Sequence, residues 1–490
     1  MIRVSTSKIF WIGTAGLSMG LFLIQALFFQ YWLVDDAGIS LAYAMNWAEG
    51  HGLVDQPGKD AVEGYSNFLW IGLLAACQKL RILLIPISPK LLGITCCFLG
   101  IYLLSSIGKI FSSPLVGAML ILLLPNHPSV VQWAVSGLET GLYFFLIIWL
   151  IWLLFQRPYT YRLALMIGTC ISLLSLTRPE AILLVGILPI LLWKAEKNAW
   201  GIMGVYIGPI LLFIGGYSLF RWLYFGELLP NTFYAKGWQM VNTMAVWAKP
   251  HHMAKAIYGP AGLAGLIGLI LALVHLFKKQ LWDKNLKALS LLLGVGAIQF
   301  LLMPYDHLDW YRYATLFIIS GISISLLTLD ILLSEIRGSL LMKNGLLLGV
   351  GAIYLLYSSF LSFERSREPV VPLTAIQERA QLVKSIAKEH GLTEPTVLTP
   401  DVGGFLLSKG MKVYDLPGLC NRELADTFGK DQASFTAYLF RELRPDIITL
   451  HGLWTEESQL TESPRFKATY RLVYSGPNGQ ESALLVFIRN

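Results

Sequence analysis

Nine stretches of the chain run long enough without polar interruption to span a bilayer, which takes about 20 apolar residues. They cover approximately 9 to 30, 66 to 86, 91 to 107, 138 to 155, 202 to 224, 260 to 277, 286 to 303, 314 to 333 and 345 to 363. Two further apolar stretches do not read as full spans. The first, 112 to 124, is short, and the second, 163 to 193, is broken by Thr177-Arg178-Pro179-Glu180. Irregular backbone at membrane depth survives only where protein or a wet cavity receives its polar groups, so both predict re-entrant helices lining a cavity. From residue 364 onward the period changes. Leu373, Ile376, Ala380, Val383, Ile386 and Ala387 fall on one helical face, and strands are expected at 396 to 399, 412 to 414 and 447 to 450. A turn at Gly403-Gly404, a helix near 432 to 443, and a closing hairpin of 467 to 474 with 482 to 488 complete a small α/β domain.

Composition sharpens this division. The 490 residues are 55% hydrophobic and 14% charged, against roughly 25% charged in soluble domains. Residues 364–490 hold 15 Lys/Arg and 16 Asp/Glu, so the net charge of +7 lies in the apolar part. We therefore expect a polytopic α-helical transmembrane domain over 1–363 and a soluble α/β accessory domain over 364–490. Arg157/Arg162, Lys194/Lys197, Lys278/Lys279/Lys284/Lys287 and Arg337/Lys343 sit in short connections, which the positive-inside rule assigns to the cytoplasm. The tail and the loops 31–65, 125–137, 225–259 and 304–313 then face outward. The basic excess is accounted for by those connections, and nucleic acid is not an expected partner. The five cysteines form no disulfide framework. Neither His251-His252 nor His307 has metal-ligand spacing.

The unusual polar residues collect on the expected outer face. Asp35 and Asp36 follow the first span, and two carboxylates at a membrane boundary require water, a cation or a metal. Glu63, Tyr65 and Asn67 enter the second span, Glu139 opens the fourth, and Arg178 with Glu180 flanks the break. Asn231 and Lys236 follow the fifth, and Arg312 precedes the eighth. Each alone has an ordinary structural reading, as a helix cap or a local ion pair. Their convergence on one face points to chemistry.

Asp35-Asp36-Ala37-x-Ile39-Ser40-x-x-Tyr43-Ala44-x-Asn46-x-x-x-Gly50-x-Gly52-Leu53-Val54, followed by Val62-Glu63-Gly64-Tyr65-Ser66-Asn67-x-Leu69-Trp70, resembles the GT-C superfamily of polyprenyl-phosphate-sugar glycosyltransferases. Within it the chain looks most like the terminal β-(1→2)-arabinofuranosyltransferases of mycobacteria and the pilin arabinofuranosyltransferases. Ser136-Gly137-Leu138-Glu139-Thr140, Thr177-Arg178-Pro179-Glu180, Leu229-Pro230-Asn231-Thr232-Phe233-Tyr234-Ala235-Lys236, Arg312-Tyr313 and the tail's Asp401-Val402-Gly403-Gly404 continue the match. Where relatives carry an aromatic-Arg pair after the Ser, this chain has Leu41-Ala42. The resemblance implies a GT-C fold in the cytoplasmic membrane, with its site and C-terminal domain on the periplasmic side. It implies transfer of a pentose, D-arabinofuranose, from a polyprenyl phosphate to a hydroxyl of a glycan, a pilin or another envelope acceptor. Asp35 or Asp36 would be the catalytic carboxylate. Arg178, Arg312 and Lys236 would hold the phosphate, and Glu63, Tyr65, Asn67, Glu139, Glu180 and Asn231 would complete the substrate contacts. No cofactor is required, although Asp35 and Asp36 are the residues that would hold a divalent cation. A lipid-linked sugar transporter or a non-catalytic glycan-assembly protein is the alternative reading.

Overall fold

The structure is a computed structural model. It describes residues 8–192, 199–236, 253, 255–257, 259, 262–279, 283–303, 311–335, 339–478 and 481–490. The expectations placed on Lys194, Lys197, His251, His252, His307 and Arg337 lie outside the described residues. The chain divides into two compact units. One comprises Met1–Tyr31, Leu84–Tyr217 and Asn242–Val370; the other comprises Trp32–Leu83, Ser218–Val241 and Val371–Asn490.

The first unit is helical. Across the described chain, six helices are long and apolar enough to cross a membrane: Lys8–Phe28, Ile87–Gly108, Ala199–Phe225, Lys284–Leu302, Arg312–Glu335 and Leu341–Arg367. A seventh candidate is the pair Pro114–Leu123 and Pro128–Ala134, bent by 45° at its break. The other three apolar runs form shorter helices, Phe68–Lys79 of 12 residues, Thr140–Phe155 of 16 and Gly262–Lys278 of 17. At about 1.5 Å per residue a 12-residue helix reaches about 18 Å, short of a 30 Å hydrocarbon layer. The expected break at 177–180 is present. Tyr161–Thr177 stops at Arg178, whose backbone is extended because Pro179 disfavours the helical conformation in the residue before it. Pro179–Gly186 then continues as a 3-10 helix.

Small residues and buried polar groups hold these helices together. A Cβ on Gly93 would lie 2.0 Å from the Ala134 carbonyl oxygen, and one on Gly141 would lie 2.5 Å from that of Gly93. Close backbone approach of this kind is how helices pack in lipid, where apolar side chains gain little by leaving the tails. The Gln25 side-chain amide donates to Asn126 Oδ1 at 2.9 Å, and the Ser362 hydroxyl donates to Gln25 Oε1 at 2.9 Å. The Asp330 carboxylate accepts the N–H groups of Ser112 and Ser113 at 2.7 and 2.8 Å, just ahead of the helix that Pro114 begins.

The second unit is built on a five-stranded sheet. Its strands are β1 (Thr396–Thr399), β2 (Lys412–Asp415), β3 (Ile447–Leu450), β4 (Tyr470–Asn478) and β5 (Glu481–Arg489), in the order β2-β1-β3-β5-β4. β1 runs parallel to both β2 and β3, while β5 pairs antiparallel with β3 and β4. Strands β1 to β3, the helix Leu373–Glu389 with the six apolar residues foreseen on its buried face, and the helical segment over 432–443 match the sequence reading, whereas the closing hairpin starts later than expected, at Tyr470, because Pro464–Thr469 is helical. Gly403-Gly404 opens a short helix, Gly403–Leu406, rather than a turn. Leu398, Phe428, Phe435, Ile448, Phe466 and Phe487 belong to the core around the sheet.

Residues far from the tail in sequence complete this unit. β2 is an edge strand, and unpaired edge groups invite association with other chains. Here the Gln56 side-chain amide accepts the Val413 N–H at 2.9 Å and donates to the Met411 carbonyl at 3.1 Å, while Lys59 Nζ donates to the Val413 carbonyl at 2.8 Å. At the other end of the same stretch, Val34 bridges to Pro372, and the Leu373 N–H donates to the Leu33 carbonyl at 2.8 Å.

Candidate functional site

The acidic pair begins the helix Asp35–Glu49; Val34 is the residue before it and no side chain caps it. Asp36 therefore does not serve as its cap. Asp35 is buried, and its carboxylate accepts the Gly403 N–H at 3.0 Å and the Gly404 N–H at 2.7 Å. Burial pushes its pKa well above the usual carboxylate range; the Asp401 charge adds to the rise and the two N–H donors oppose it. The approach is close enough that a Cβ on Gly403 would stand 1.9 Å from the Asp35 carbonyl oxygen. Asp36 is only partly buried. The two adjacent acids thus have different surroundings, one fixed to backbone and one facing outward to a greater degree.

Glu63, Tyr65, Asn67 and Asn231 also lie in the second unit, where each has a partner in the protein. Glu63 is buried in a bidentate pair with Arg221, at 2.5 Å from Nε to Oε2 and 3.2 Å from Nη2 to Oε1. A buried fork of this geometry fixes both side chains. Tyr65 packs edge-on against Tyr43 at 4.9 Å and Phe225 at 6.4 Å. Asn67 exchanges hydrogen bonds with Ser40. The Asn231 amide donates to the carbonyls of Gly418 and Leu419 at 2.7 and 2.9 Å, and its backbone N–H donates to the Glu63 carbonyl at 3.0 Å. Lys236 ends the helix Asn231–Lys236 and is partly exposed.

Glu139, Arg178, Glu180 and Arg312 come together in the first unit. Arg178 Nε donates to Glu139 Oε1 at 2.9 Å, its Nη1 donates to the Arg312 carbonyl at 3.1 Å, and Glu180 lies 3.8 Å from Nη1. The Arg178 guanidinium stands 5.3 Å from the Tyr143 ring, and that of Arg312 stands 5.8 Å from Trp133, distances at which cations favour an aromatic face. Gln299 donates to the Glu180 carbonyl at 2.8 Å. Two buried guanidiniums and two carboxylates balance in charge. Arg178 Nη2 is buried and makes no hydrogen bond among the described residues.

Sequence reasoning missed Arg221, Arg379 and His451, and it noted Asp401 only within the tail motif Asp401-Val402-Gly403-Gly404. Arg221 carried a legible signal, a lone cation in a long apolar helix, which calls for a buried anion. Arg379 and His451 carried none, being ordinary polar residues of the C-terminal part of the chain. A divalent cation fits the arrangement poorly. Both oxygens of Asp35 are aimed at N–H groups, and among the described residues no three His, Cys, Asp or Glu side chains assemble as metal ligands.

No family model matches the chain, and no curated protein is similar to it in sequence. Solved structures are similar in fold. ArnT from Cupriavidus metallidurans bound to undecaprenyl phosphate superposes with a TM-score of 0.59 over 98% of both chains at 12% identity. The Archaeoglobus fulgidus oligosaccharyltransferase in its apo form gives 0.64 over 97% of this chain and 74% of that one at 9% identity. The same organism's oligosaccharyltransferase AglB, in complex with an inhibitory peptide and a dolichol-phosphate, gives 0.56 over 95% and 74% at 10% identity. This chain shares the fold of these structures over nearly its whole length.

Proposed function

We propose that the protein is a membrane glycosyltransferase that moves a sugar from a polyprenyl-phosphate donor to a hydroxyl acceptor at the outer face of the cytoplasmic membrane. The observation that carries this reading is the shared fold over 98% of both chains with ArnT bound to undecaprenyl phosphate. The resemblance of the Asp35-to-Trp70 motif narrows the donor to a pentose, D-arabinofuranose, and the acceptor to an envelope glycan or a pilin.

In this reading the acceptor oxygen bonds to the anomeric carbon as the bond from that carbon to the phosphate oxygen breaks. The hydroxyl proton passes to Asp36, and polyprenyl phosphate leaves with the bonding pair. Asp36 suits the proton because it is the less buried acid, whereas Asp35 is committed to Gly403 and Gly404. A positioned general base contributes about 10²- to 10⁴-fold. Charge developing on the phosphate calls for preorganised donors, and Arg178, whose buried Nη2 makes no hydrogen bond among the described residues, is the guanidinium assigned that role. Glu139 and Glu180 then orient Arg178 instead of binding sugar, and Glu63 acts through Arg221.

The test is transfer by the purified full chain from synthetic polyprenyl-phosphoryl-D-arabinofuranose to an arabinan oligosaccharide, followed by mass spectrometry. Transfer that is lost in Asp36→Asn supports the reading. Movement of the donor across vesicle membranes with no glycosidic product would return the chain to the transporter reading.

A further inference from the structure

The three parallel strands of the tail sheet stand in the order β2-β1-β3. The chain leaves β1 for one neighbour and later returns for the other, so the crevice at the carboxyl ends of β1 and β3 is a topological switch point, the place where open α/β sheets bind ligands. Asp401 lies two residues beyond β1, and His451 directly follows β3. Their side chains meet there, with His451 Nε2 2.7 Å from Asp401 Oδ2. Arg379 Nη1 reaches the same oxygen at 2.6 Å. His451 is buried, and Asp401 and Arg379 keep 16% and 21% side-chain exposure. Asp401 Oδ1 takes no partner among the described residues, and Arg379 has N–H groups beyond the one it spends on Asp401.

We infer that Asp401, His451 and Arg379 form a subsite for the hydroxyl groups of the acceptor sugar; this rests on the glycosyltransferase reading and assigns its acceptor. A sugar hydroxyl both donates and accepts, and the crevice offers an acceptor oxygen beside a guanidinium donor. The local charge selects against other ligands. The charges of Asp401 and Asp36 both act on Asp35, so an anion entering here meets two carboxylates. A metal cation meets the positive charge of Arg379 beside the same carboxylate. The position is apt, because the loop carrying Asp401 continues into Gly403 and Gly404, which hold Asp35, the neighbour of the proposed base.

The experiment uses the full chain in detergent, with methyl α-D-arabinofuranoside as the probe and inorganic phosphate as the anionic comparison. Saturation-transfer NMR is expected to show the glycoside bound, with affinity falling about tenfold or more in Asp401→Asn and in His451→Gln, as for loss of a charge-assisted hydrogen bond. In transfer assays the same variants should raise the acceptor KM while kcat stays within about threefold, whereas Asp36→Asn lowers kcat. Asp401→Glu, which keeps the charge, is the variant to use if Asp401→Asn does not fold. Unchanged glycoside binding and unchanged acceptor KM in folded variants overturn the subsite, as does binding of phosphate in place of the glycoside. Asp401-dependent glycoside binding in a wild-type protein that transfers nothing supports the subsite and instead overturns the glycosyltransferase reading.

Discussion

The carboxylate of Asp35 accepts the backbone N–H of Gly404 at 2.7 Å, joining positions 369 residues apart in the chain. With the bond to Gly403 it makes Asp35 a fastener of the second unit, and the proposed role in turnover falls to Asp36. Asp35→Ala strands two buried donors and should cost about 1–3 kcal/mol of stability, read as a lower unfolding temperature. Asp36→Asn should keep that temperature and lose about 100-fold in transfer rate. The division fails if Asp35→Ala unfolds like the wild type or if Asp36→Asn turns over normally.

Glu63 and Arg221 form a buried ion pair in the second unit. Removing one partner leaves a charge in a dry site, at about 3–5 kcal/mol, while replacing both with apolar side chains is often neutral. Glu63→Leu and Arg221→Leu should each prevent recovery of folded protein, and the double variant should restore it. A double variant as poor as either single one would mean that more than the pair is being lost.

The same logic in the first unit separates orientation from binding. Glu139→Gln should raise the donor KM, by loosening Arg178, more than it alters acceptor KM. Arg178→Lys keeps the charge and loses the fork, so it should impair transfer nearly as much as Arg178→Ala. Equal donor KM in wild type and Arg178→Ala would take Arg178 out of phosphate binding.

Asp415 ends β2, with Oδ2 accepting the Cys420 N–H at 3.2 Å and Oδ1 buried without a hydrogen bond. Burial pushes its pKa up to about 7. The folded state then holds a proton that the unfolded chain has released above about pH 4, so this contribution to stability is present at low pH and falls as pH rises through about 7. The loss is at most on the order of 4 kcal/mol. Asp35, raised by burial as well, adds a slope of the same sign. Thermal unfolding between pH 5 and 8 should therefore drop less steeply in Asp415→Asn than in wild type, and parallel profiles would contradict the assignment.

Periodicity and local chemistry were legible in the sequence wherever the cause was local. The six buried residues of Leu373–Glu389 lie on one helical face, and Pro179 dictates the extended backbone of Arg178 beside it. The partners of Glu63 and Gln56 were not legible, because they stand 158 and 357 residues away and nothing near either residue encodes them. Residue type shows that a polar group at a boundary needs a partner. It does not show whether that partner is a sugar or the protein's own backbone, and for Glu63, Asn67 and Asn231 the structure supplies the protein. The adjacent acids illustrate the same limit: only the position of Gly403 and Gly404 separates Asp35 from Asp36.

The second unit is assembled from the beginning, the middle and the end of the polypeptide, and this fixes when it can form during synthesis. Asp35 emerges early, but Gly403 follows 368 residues later, a delay of about 20–70 s at translation rates of about 5–20 residues per second. Strand β5, which lies between β3 and β4, is the last element of all. Throughout that interval residues 32–83 wait without their sheet, open to chaperones and proteases, and a ribosome that stalls anywhere before β5 delivers a chain whose sheet is never completed.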